Sequence, residues 1–389
     1  MGYSSTKWAS TDGTLRYYSL NMAPRRVNIG VVGLGRMGKR HVHTLVSRTP
    51  RANVVAVCTN LEHELEWARN NQDYKDFEIA IYDKYEDMLN HPGIEAVWVS
   101  TSTDVHAIQT KMGVQKGLHV MCEKPLSIHL EESQEVIDIA DKHPHLKVMA
   151  AFSRRFDASY RDAAKKVLQE RVIGKPYMIR AQTCDLLDTT GFFVRYATRN
   201  GGIFVDCAIH DIDLTLWYLD NPVPKACWAT GTLQHHPELA ESNDVDNAVG
   251  VVEYWGGKIA YYHCSRTQIH GHDVSTEVSG TEGKISVNLI PRANNVVVND
   301  KRGMTHEVQE EYWQRFEYAF ETEAREFIDS ILTDGPVPVP LKTGQKVMEI
   351  ARALQSALWS GEVSRWNEKG ELIESGERKM NGAMNGHAK

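Results

Sequence analysis

Two different apolar patterns succeed one another along the chain. From residue 27, short apolar runs are separated by helix-like segments: VNIGVVG (27–33), NVVAVC (53–58), EIAIY (78–82), IEAVWVS (94–100), LHVMC (118–122) and LKVMAAF (146–152). These runs lack strict polar alternation, the signature of strands covered on both faces. With crossover helices between them they predict a doubly wound α/β domain over residues 27–151.

After about residue 152 the pattern changes. A helix-like YRDAAKKVLQERV leads to a strand, PYMIRAQTCD, and a loop rich in glycine and aromatics leads to GGIFVDCAIHDIDLTLWYLDN, which reads as one helix. Strand-like segments then crowd together at 225–234, 246–254, 257–265, 273–279, 284–288 and 294–298. Short turns such as WGGK and GTEGK predict hairpins and a largely antiparallel open sheet. Helices near 313–333 and 342–360 close an α+β domain spanning 152–365, and no fixed-period repeat is present.

Composition narrows the function. The 389 residues are 42% hydrophobic and 24% charged, ordinary for a two-domain globular chain. A net charge of -7 provides no electrostatic footprint for nucleic acid or an anionic membrane. No apolar run approaches the ~20 residues of a bilayer span. Cys58, Cys122, Cys184, Cys207, Cys227 and Cys264 lack C-x-x-C spacing and sit mostly in apolar segments, as reduced thiols of a cytoplasmic protein do. Residues 1–26 and the 366–389 tail read as disordered extensions.

Chemistry enters first at Gly33-Leu34-Gly35-Arg36-Met37-Gly38, which follows an apolar strand and opens a helix in the first βαβ unit. Gly33 permits the tight turn, Gly35 lets backbone approach a pyrophosphate, and Gly38 permits close helix–sheet packing. An acid is expected about 20 residues further on, gripping the ribose 2′-hydroxyl. Thr59 and Asn60 stand there instead. Without that carboxylate a 2′-phosphate is not repelled and Arg36 can reach it, which tilts the cofactor towards NADP over NAD. Glu62 or Glu64 substitutes as the ribose ligand if the loop folds back.

Glu123-Lys124-Pro125 follows the fifth predicted strand. Ligands of open α/β sheets bind beyond the strands' carboxyl ends, so Lys124 falls in the cofactor crevice. Further on, Asp206 and His210 stand at i and i+4 among Phe204, Val205, Ile209, Ile212 and Leu214. Charged groups in so apolar a helix are paired or functional, and this spacing suggests an acid/base histidine oriented by Asp206 or sharing substrate with it.

The glycine loop, Glu123-Lys124-Pro125 and GGIFVDCAIHDID together resemble the glucose–fructose oxidoreductase / inositol dehydrogenase / MocA (Gfo/Idh/MocA) family over about residues 27–361. FSRRFD (152–157), NDVDNAVGVVEY (243–254), SGTEGKI (279–285) and FETEAREFIDSI resemble its later landmarks. The resemblance implies an N-terminal Rossmann domain, and a C-terminal α+β domain whose open sheet supports a homodimer or homotetramer. It also implies NAD(P)-dependent hydride transfer at a secondary alcohol of a sugar or cyclitol. Lys124 matches the lysine that hydrogen-bonds the reacting oxygen, with the Lys124–Pro125 bond often cis. His210 matches the acid/base, titrating in the working range, and Asp206 the carboxylate that positions substrate.

Ser100, Thr101, Thr103 and His106 border the cofactor after the fourth strand, although the family often has Pro-Asn there. The expected cofactor-facing set is therefore Gly33, Gly35, Arg36, Met37, Gly38, Thr59, Asn60, Ser100, Thr101, Thr103, His106, Glu123 and Lys124. Arg155 and Asp157 are expected beside substrate, with Lys124, Asp206 and His210. Loop 185–200 and strand 257–268 carry specificity, and HGHD (270–273) borders the substrate pocket. No metal need be invoked, since H-E-x-x-H and paired C-x-x-C are missing. A rival from another class is a non-catalytic dinucleotide-sensing regulator of the same fold, which usually loses the lysine or the histidine.

Overall fold

Six strands rich in valine and alanine form one parallel sheet in the computed structural model, which describes residues 24–374 with the exception of Thr198. They are β1 (Val27–Val32), β2 (Ala52–Cys58), β3 (Ala80–Tyr82), β4 (Ala96–Val99), β5 (His119–Glu123) and β6 (Val148–Ala151), in the spatial order β3-β2-β1-β4-β5-β6. Every neighbouring pair is parallel. The order reverses between β1 and β4, which opens a crevice at their carboxyl ends. Helices α1 (Arg36–Arg48), α2 (Glu62–Asn70), α3 (Gln72–Asp76), α4 (Tyr85–Met88), α5 (Thr103–Gln115) and α6 (Leu130–Asp141) make the crossovers. All four residues of β4 and all four of β6 are buried, which is why these runs show no polar alternation.

A 3-10 turn at Ser153–Phe156 and α7 (Ala158–Leu168) lead into the second sheet. Its first strand is β7 (Pro176–Leu186), followed by three short helices, α8 (Phe192–Ala197), α9 (Ile203–Asp206) and α10 (Ile209–Tyr218). Strands β8 (Pro224–Thr232), β9 (Asn247–Tyr254), β10 (Lys258–Gln268), β11 (Asp273–Gly280) and β12 (Gly283–Val287) come next, then a separate hairpin of β13 (Val298–Asp300) and β14 (Gly303–Thr305). Helices α11 (Tyr312–Leu332) and α12 (Leu341–Ser360) precede β15 (Ser364–Trp366) and β16 (Leu372–Glu374). The eight-stranded order is β12-β11-β7-β10-β9-β8-β15-β16, antiparallel at every neighbouring pair except the parallel β7–β10 pair. Both predicted hairpins form, β9–β10 at the WGGK turn and β11–β12 at GTEGK.

Four expectations need correction. The single helix read over 201–221 is two, α9 and α10, separated at Cys207 and Ala208. The strand read at 294–298 begins only at Val298 and pairs locally with β14. β16 falls inside the predicted tail, because Leu372 and Glu374 pair with β15 and extend the sheet edge. Helix α8 lies in what read as an irregular loop. The remaining expectations for residues 1–23 and 375–389 lie outside the described residues. All six cysteines are buried and free. No helix among the described residues is long and apolar enough to cross a membrane.

Two glycines shape the β1–α1 turn. Gly33 has φ +88, in the left-handed region that favours glycine. A Cβ on Gly38 would lie 1.7 Å from the Gly33 carbonyl oxygen. Gly38→Ala is therefore expected to lower the unfolding free energy by about 1–3 kcal/mol through overpacking. In Gly344→Ala, by contrast, the new Cβ meets the Phe152 ring at an ordinary 3.5 Å. That change, inside α12, is expected to raise stability by about 0.5–1 kcal/mol. Chemical denaturation of the two variants reads both signs; equal effects would contradict this account of the turn.

Candidate active site

The β1–α1 turn has the properties a pyrophosphate requires. Helix α1 has no side-chain cap at Gly35 and no acid in its first turn. Its leading N–H groups thus keep their donors and partial positive charge for an anion. A Cβ at Gly35 would meet only Glu64 Oε1, 3.8 Å away. Ser100, at the end of β4, braces the turn, its hydroxyl lying 3.0 Å from the Val32 carbonyl and 3.1 Å from that of Gly33.

At the end of β2, Thr59 is buried and donates to Glu64 Oε2 at 2.5 Å, while Asn60 is exposed. The first turn of α2 thus brings a carboxylate, that of Glu64, back beside the glycine loop. The Arg36 guanidinium is stacked over the rings of Phe192, 5.2 Å away, and Tyr312, 5.5 Å away. The Tyr312 hydroxyl in turn meets the sulfur of Met37. Arg36 therefore packs against α8 and α11.

After β4, Thr101 donates to Gln109 at 2.6 Å, and the Thr103 hydroxyl lies 3.4 Å from that of Tyr196. His106 departs from expectation. It is buried, with its ring nitrogens 2.8 Å from the Pro125 carbonyl and 3.1 Å from that of Thr101. Burial pulls its pKa down against those carbonyls. A neutral ring has one N–H and can donate to only one of the two carbonyls; wedged between them, His106 is a strut under the Lys124–Pro125 turn.

Lys124 follows β5, and its bond to Pro125 is cis. The Glu123 carboxylate below it meets His41 Nε2 at 2.6 Å and accepts from the Lys124 backbone N–H at 3.2 Å. Burial pushes Glu123 up, but the His41 hydrogen bond and the charges of His41, Lys124 and His106 outweigh it, so its pKa is lowered. Lys124 Nζ donates to the Asp206 carbonyl at 3.0 Å and lies 3.6 Å from Asp206 Oδ1. That carbonyl belongs to the last residue of α9, where the helix leaves acceptors unused.

Behind Asp206 stands Arg266, fully buried on β10, 3.3 Å from Asp206 Oδ2 and 2.8 Å from Asp244 Oδ2. Asp244 also accepts from the Ile203 N–H at 2.9 Å, which fixes the start of α9. Burial opposes the Arg266 charge, but Cys207, Asp244 and Asp206 outweigh it and hold the guanidinium protonated.

His210 lies on α10 with its ring 6.1 Å from that of Phe152, and its buried Nδ1 has no partner among the described residues. Burial pulls its pKa well below the ordinary histidine range, aided by the charges of Lys124, Arg154 and His272. The imidazole is therefore neutral where it was expected to titrate. Among the described residues no hydrogen bond joins Asp206 to His210. The helix breaks between them, and the carboxylate faces the two strongest cations nearby.

Arg155 and Asp157 are also corrected. Arg155 grips buried Asp213 with Nε at 2.8 and 3.0 Å, and its guanidinium stacks 5.3 Å from the Trp217 ring. Asp157 caps α7, accepting from Ser159 N–H at 3.0 Å and Tyr160 N–H at 3.1 Å, and pairs with Arg315 at 2.7 Å. Both side chains are spent on packing. The neighbouring Arg154 is buried and bound to Asp211 at 2.6 Å and Thr183 at 2.7 Å, near enough to bear on His210.

Sequence reasoning did not single out Asp244 as a site residue, and named Asp185, Arg266 and His272 only within wider segments, loop 185–200, strand 257–268 and the HGHD turn. Asp185 ends β7 and lies 3.4 Å from His272 Nε2. Burial, then the Asp206 charge, pushes Asp185 up to about 6. Burial, with Arg154 and Arg315, pulls His272 down to about 3. The available signal was an unpaired carboxylate at a strand's carboxyl end, beside the HGHD turn.

These two shifts act on stability in opposite senses. His272 has a folded value near 3 against 6.5 unfolded, so the unfolded chain binds its proton first and stability falls as pH drops through that window. Asp185 holds its proton longer when folded, so its contribution is lost as pH rises from 3.8 to about 6. His272→Gln is expected to flatten the acid-side slope of unfolding free energy by up to about 1.4 kcal/mol per pH unit, and Asp185→Asn to steepen it. Denaturant titrations between about pH 4 and 6 measure both; unchanged slopes would contradict these assignments.

Comparison with known proteins agrees with this geometry. Residues 27–152 match the family model described as "Oxidoreductase family, NAD-binding Rossmann fold", and residues 162–286 match the GFO/IDH/MocA C-terminal domain. The scyllo-inositol 2-dehydrogenase (NAD(+)) of Bacillus subtilis is 30% identical over 314 residues, covering 81% of this chain and 88% of the relative. The Myo-inositol 2-dehydrogenase of Thermotoga maritima is 28% identical, covering 85% and 96%. The solved structure of scyllo-inositol dehydrogenase from Lactobacillus casei with bound NAD(H) and scyllo-inositol superposes with a TM-score of 0.82 at 29% identity, covering 88% of this chain and 99% of that one. Two family models matched in order, a relative at 30% identity over most of both chains and a shared fold identify the chain as a member of the Gfo/Idh/MocA oxidoreductase family.

Proposed function

We propose that this oxidoreductase is an NAD-dependent cyclitol dehydrogenase that converts one ring CH–OH of an inositol-like polyol to the ketone. The observation that carries this reading is the Lys124 ammonium, held between β5 and α9 by Asp206 beside a neutral His210. An ammonium has three donors. One is taken by the Asp206 carbonyl and a second leans on its carboxylate, which leaves a third for the substrate oxygen. That donor stabilises alkoxide character as the C–H bond breaks.

The hydroxyl proton passes to the imidazole of His210, which is neutral and therefore able to accept it. Nicotinamide, when bound, takes the hydride. In the reverse direction His210 returns the proton. Asp206 orients Lys124 and has a free edge for a substrate hydroxyl. Asp185 and His272 offer acceptor and donor to further hydroxyls of a polyol ring, and the relatives named for scyllo- and myo-inositol support that substrate class.

NAD is favoured over NADP by Glu64, whose carboxylate next to Gly35 repels a 2′-phosphate, and by Arg36, which is engaged elsewhere. The regulator reading has no observation in its favour, since Lys124, Asp206 and His210 are all retained. Trp228, Met178 and Ile259, each roughly two-fifths exposed on the open sheet, support a homodimer or homotetramer through that face.

Dinucleotide absorbance with NAD or NADP, against scyllo-inositol, myo-inositol and aldoses, tests the reading. Wild type is expected to reduce NAD with an inositol. Lys124→Met is expected to lose about 10²–10⁴-fold in kcat with NAD affinity retained. Turnover unchanged by that substitution would refute the role of Lys124. Cofactor choice is tested separately by Glu64→Ser, which is expected to raise kcat/KM for NADP relative to NAD by about tenfold, the equivalent of 1.4 kcal/mol. An unchanged ratio would remove Glu64 from the ribose site.

A further inference from the structure

Glu323 takes no part in this chemistry, yet it is fully buried. It lies on α11 with no exposed surface, and neither carboxyl oxygen has a hydrogen-bond partner among the described residues. Its helical stripe is otherwise aromatic, with Phe316, Phe320 and Phe327 at helical spacing. Phe320 packs 5.7 Å from the His41 ring, Phe327 packs 5.9 Å from Trp98, and Trp98 lies 5.1 Å from His41. Glu323 is therefore bracketed, one turn to each side, by contacts to the two rings behind Glu123.

His41 carries the connection forward. It meets Glu123 at 2.6 Å, and Glu123 holds the Lys124 backbone N–H. The charged groups on the surrounding elements can be enumerated. Helix α1 contributes His41 and also Arg40, which is directed to Glu311 and Trp313. Strand β5 contributes Glu123 and is followed by Lys124. On α11 itself, Glu321 pairs with Arg325 and Glu326 with Arg161, both away from this pocket. Among the described residues no cation pairs with Glu323. A buried carboxyl in that position avoids charge by keeping its proton. Burial, reinforced by the Glu123 charge, drives its pKa well above the carboxylate range.

We propose that Glu323 is a neutral carboxylic acid that positions Lys124, backing the His41–Glu123 pair from the C-terminal helix and so fixing the lysine's backbone in the crevice. It is a positioning residue, because it touches neither substrate nor cofactor. A neutral acid adds no second negative charge near Glu123. The assignment rests on the catalytic reading of Lys124 only for its kinetic consequence; the protonation state stands apart from it.

The test combines infrared difference spectroscopy with kinetics on the full chain. At about pH 8, where an ordinary carboxyl is ionised, wild type is expected to show the carbonyl band of a buried protonated acid that Glu323→Gln lacks. Glu323→Gln, neutral and of the same shape, is expected to keep kcat and its pH profile. Glu323→Leu is expected to lower kcat by about tenfold or more through misplacement of Lys124, with KM for NAD little changed. An acid band missing from wild type overturns the proposal whether or not the protein turns over an inositol. Glu323→Gln as impaired as Glu323→Leu, or Glu323→Leu as active as wild type, overturns the positioning role. If Glu323→Leu does not fold, the infrared comparison and Glu323→Gln still decide.

Discussion

The contact between Lys124 and Asp206 links two sheets that share no strand. Lys124 belongs to the turn after β5 and Asp206 to the end of α9, 82 residues apart in the chain. Neither group is stable alone at that depth. The lysine needs an acceptor, and Asp206 needs more than one cation, which Arg266 completes from β10. Asp244 then neutralises Arg266 and ties the row to the first turn of α9. The row Lys124–Asp206–Arg266–Asp244 alternates in sign, so each charge offsets the desolvation of its neighbour.

Much of the remaining architecture holds the two ends of that row still. On the lysine side, Glu123 and His41 fix the backbone from below, while His106 fixes Pro125 from the flank. On the aspartate side, Gln355 of α12 accepts from the Phe204 N–H within α9 at 3.1 Å. Helix α11 lies against α1, with Phe320 and Trp313 around His41. Elements of both sheets thus converge on one ammonium group.

Parts of this were legible in the sequence because they depend on local rules. The glycine loop, the unalternating strands and the WGGK and GTEGK hairpins follow from backbone sterics and side-chain period, and all appeared where expected. Lys124 was legible through topology alone, since a residue just after a central parallel strand must face the crevice. Partner choice was not legible. An i, i+4 spacing suggested that Asp206 serves His210, but Lys124 and Arg266 compete for the same carboxylate and are reached only through long-range pairing. Arg155 and Asp157 misled for the same reason: Asp213 and Arg315, 58 and 158 residues away, claim them. Glu64 was legible as an alternative ribose ligand, and the fold brings it back to Gly35.

The most direct measurement is to follow the carbon-bound hydrogen. Inositol deuterated at its ring carbons would be mixed with NAD and the protein, and the recovered dinucleotide weighed by mass spectrometry. One deuterium in the reduced nicotinamide, absent when Lys124→Met replaces wild type, is the result expected of hydride transfer governed by this lysine. Reduced nicotinamide without deuterium, or deuterium transferred equally well by Lys124→Met, would contradict it.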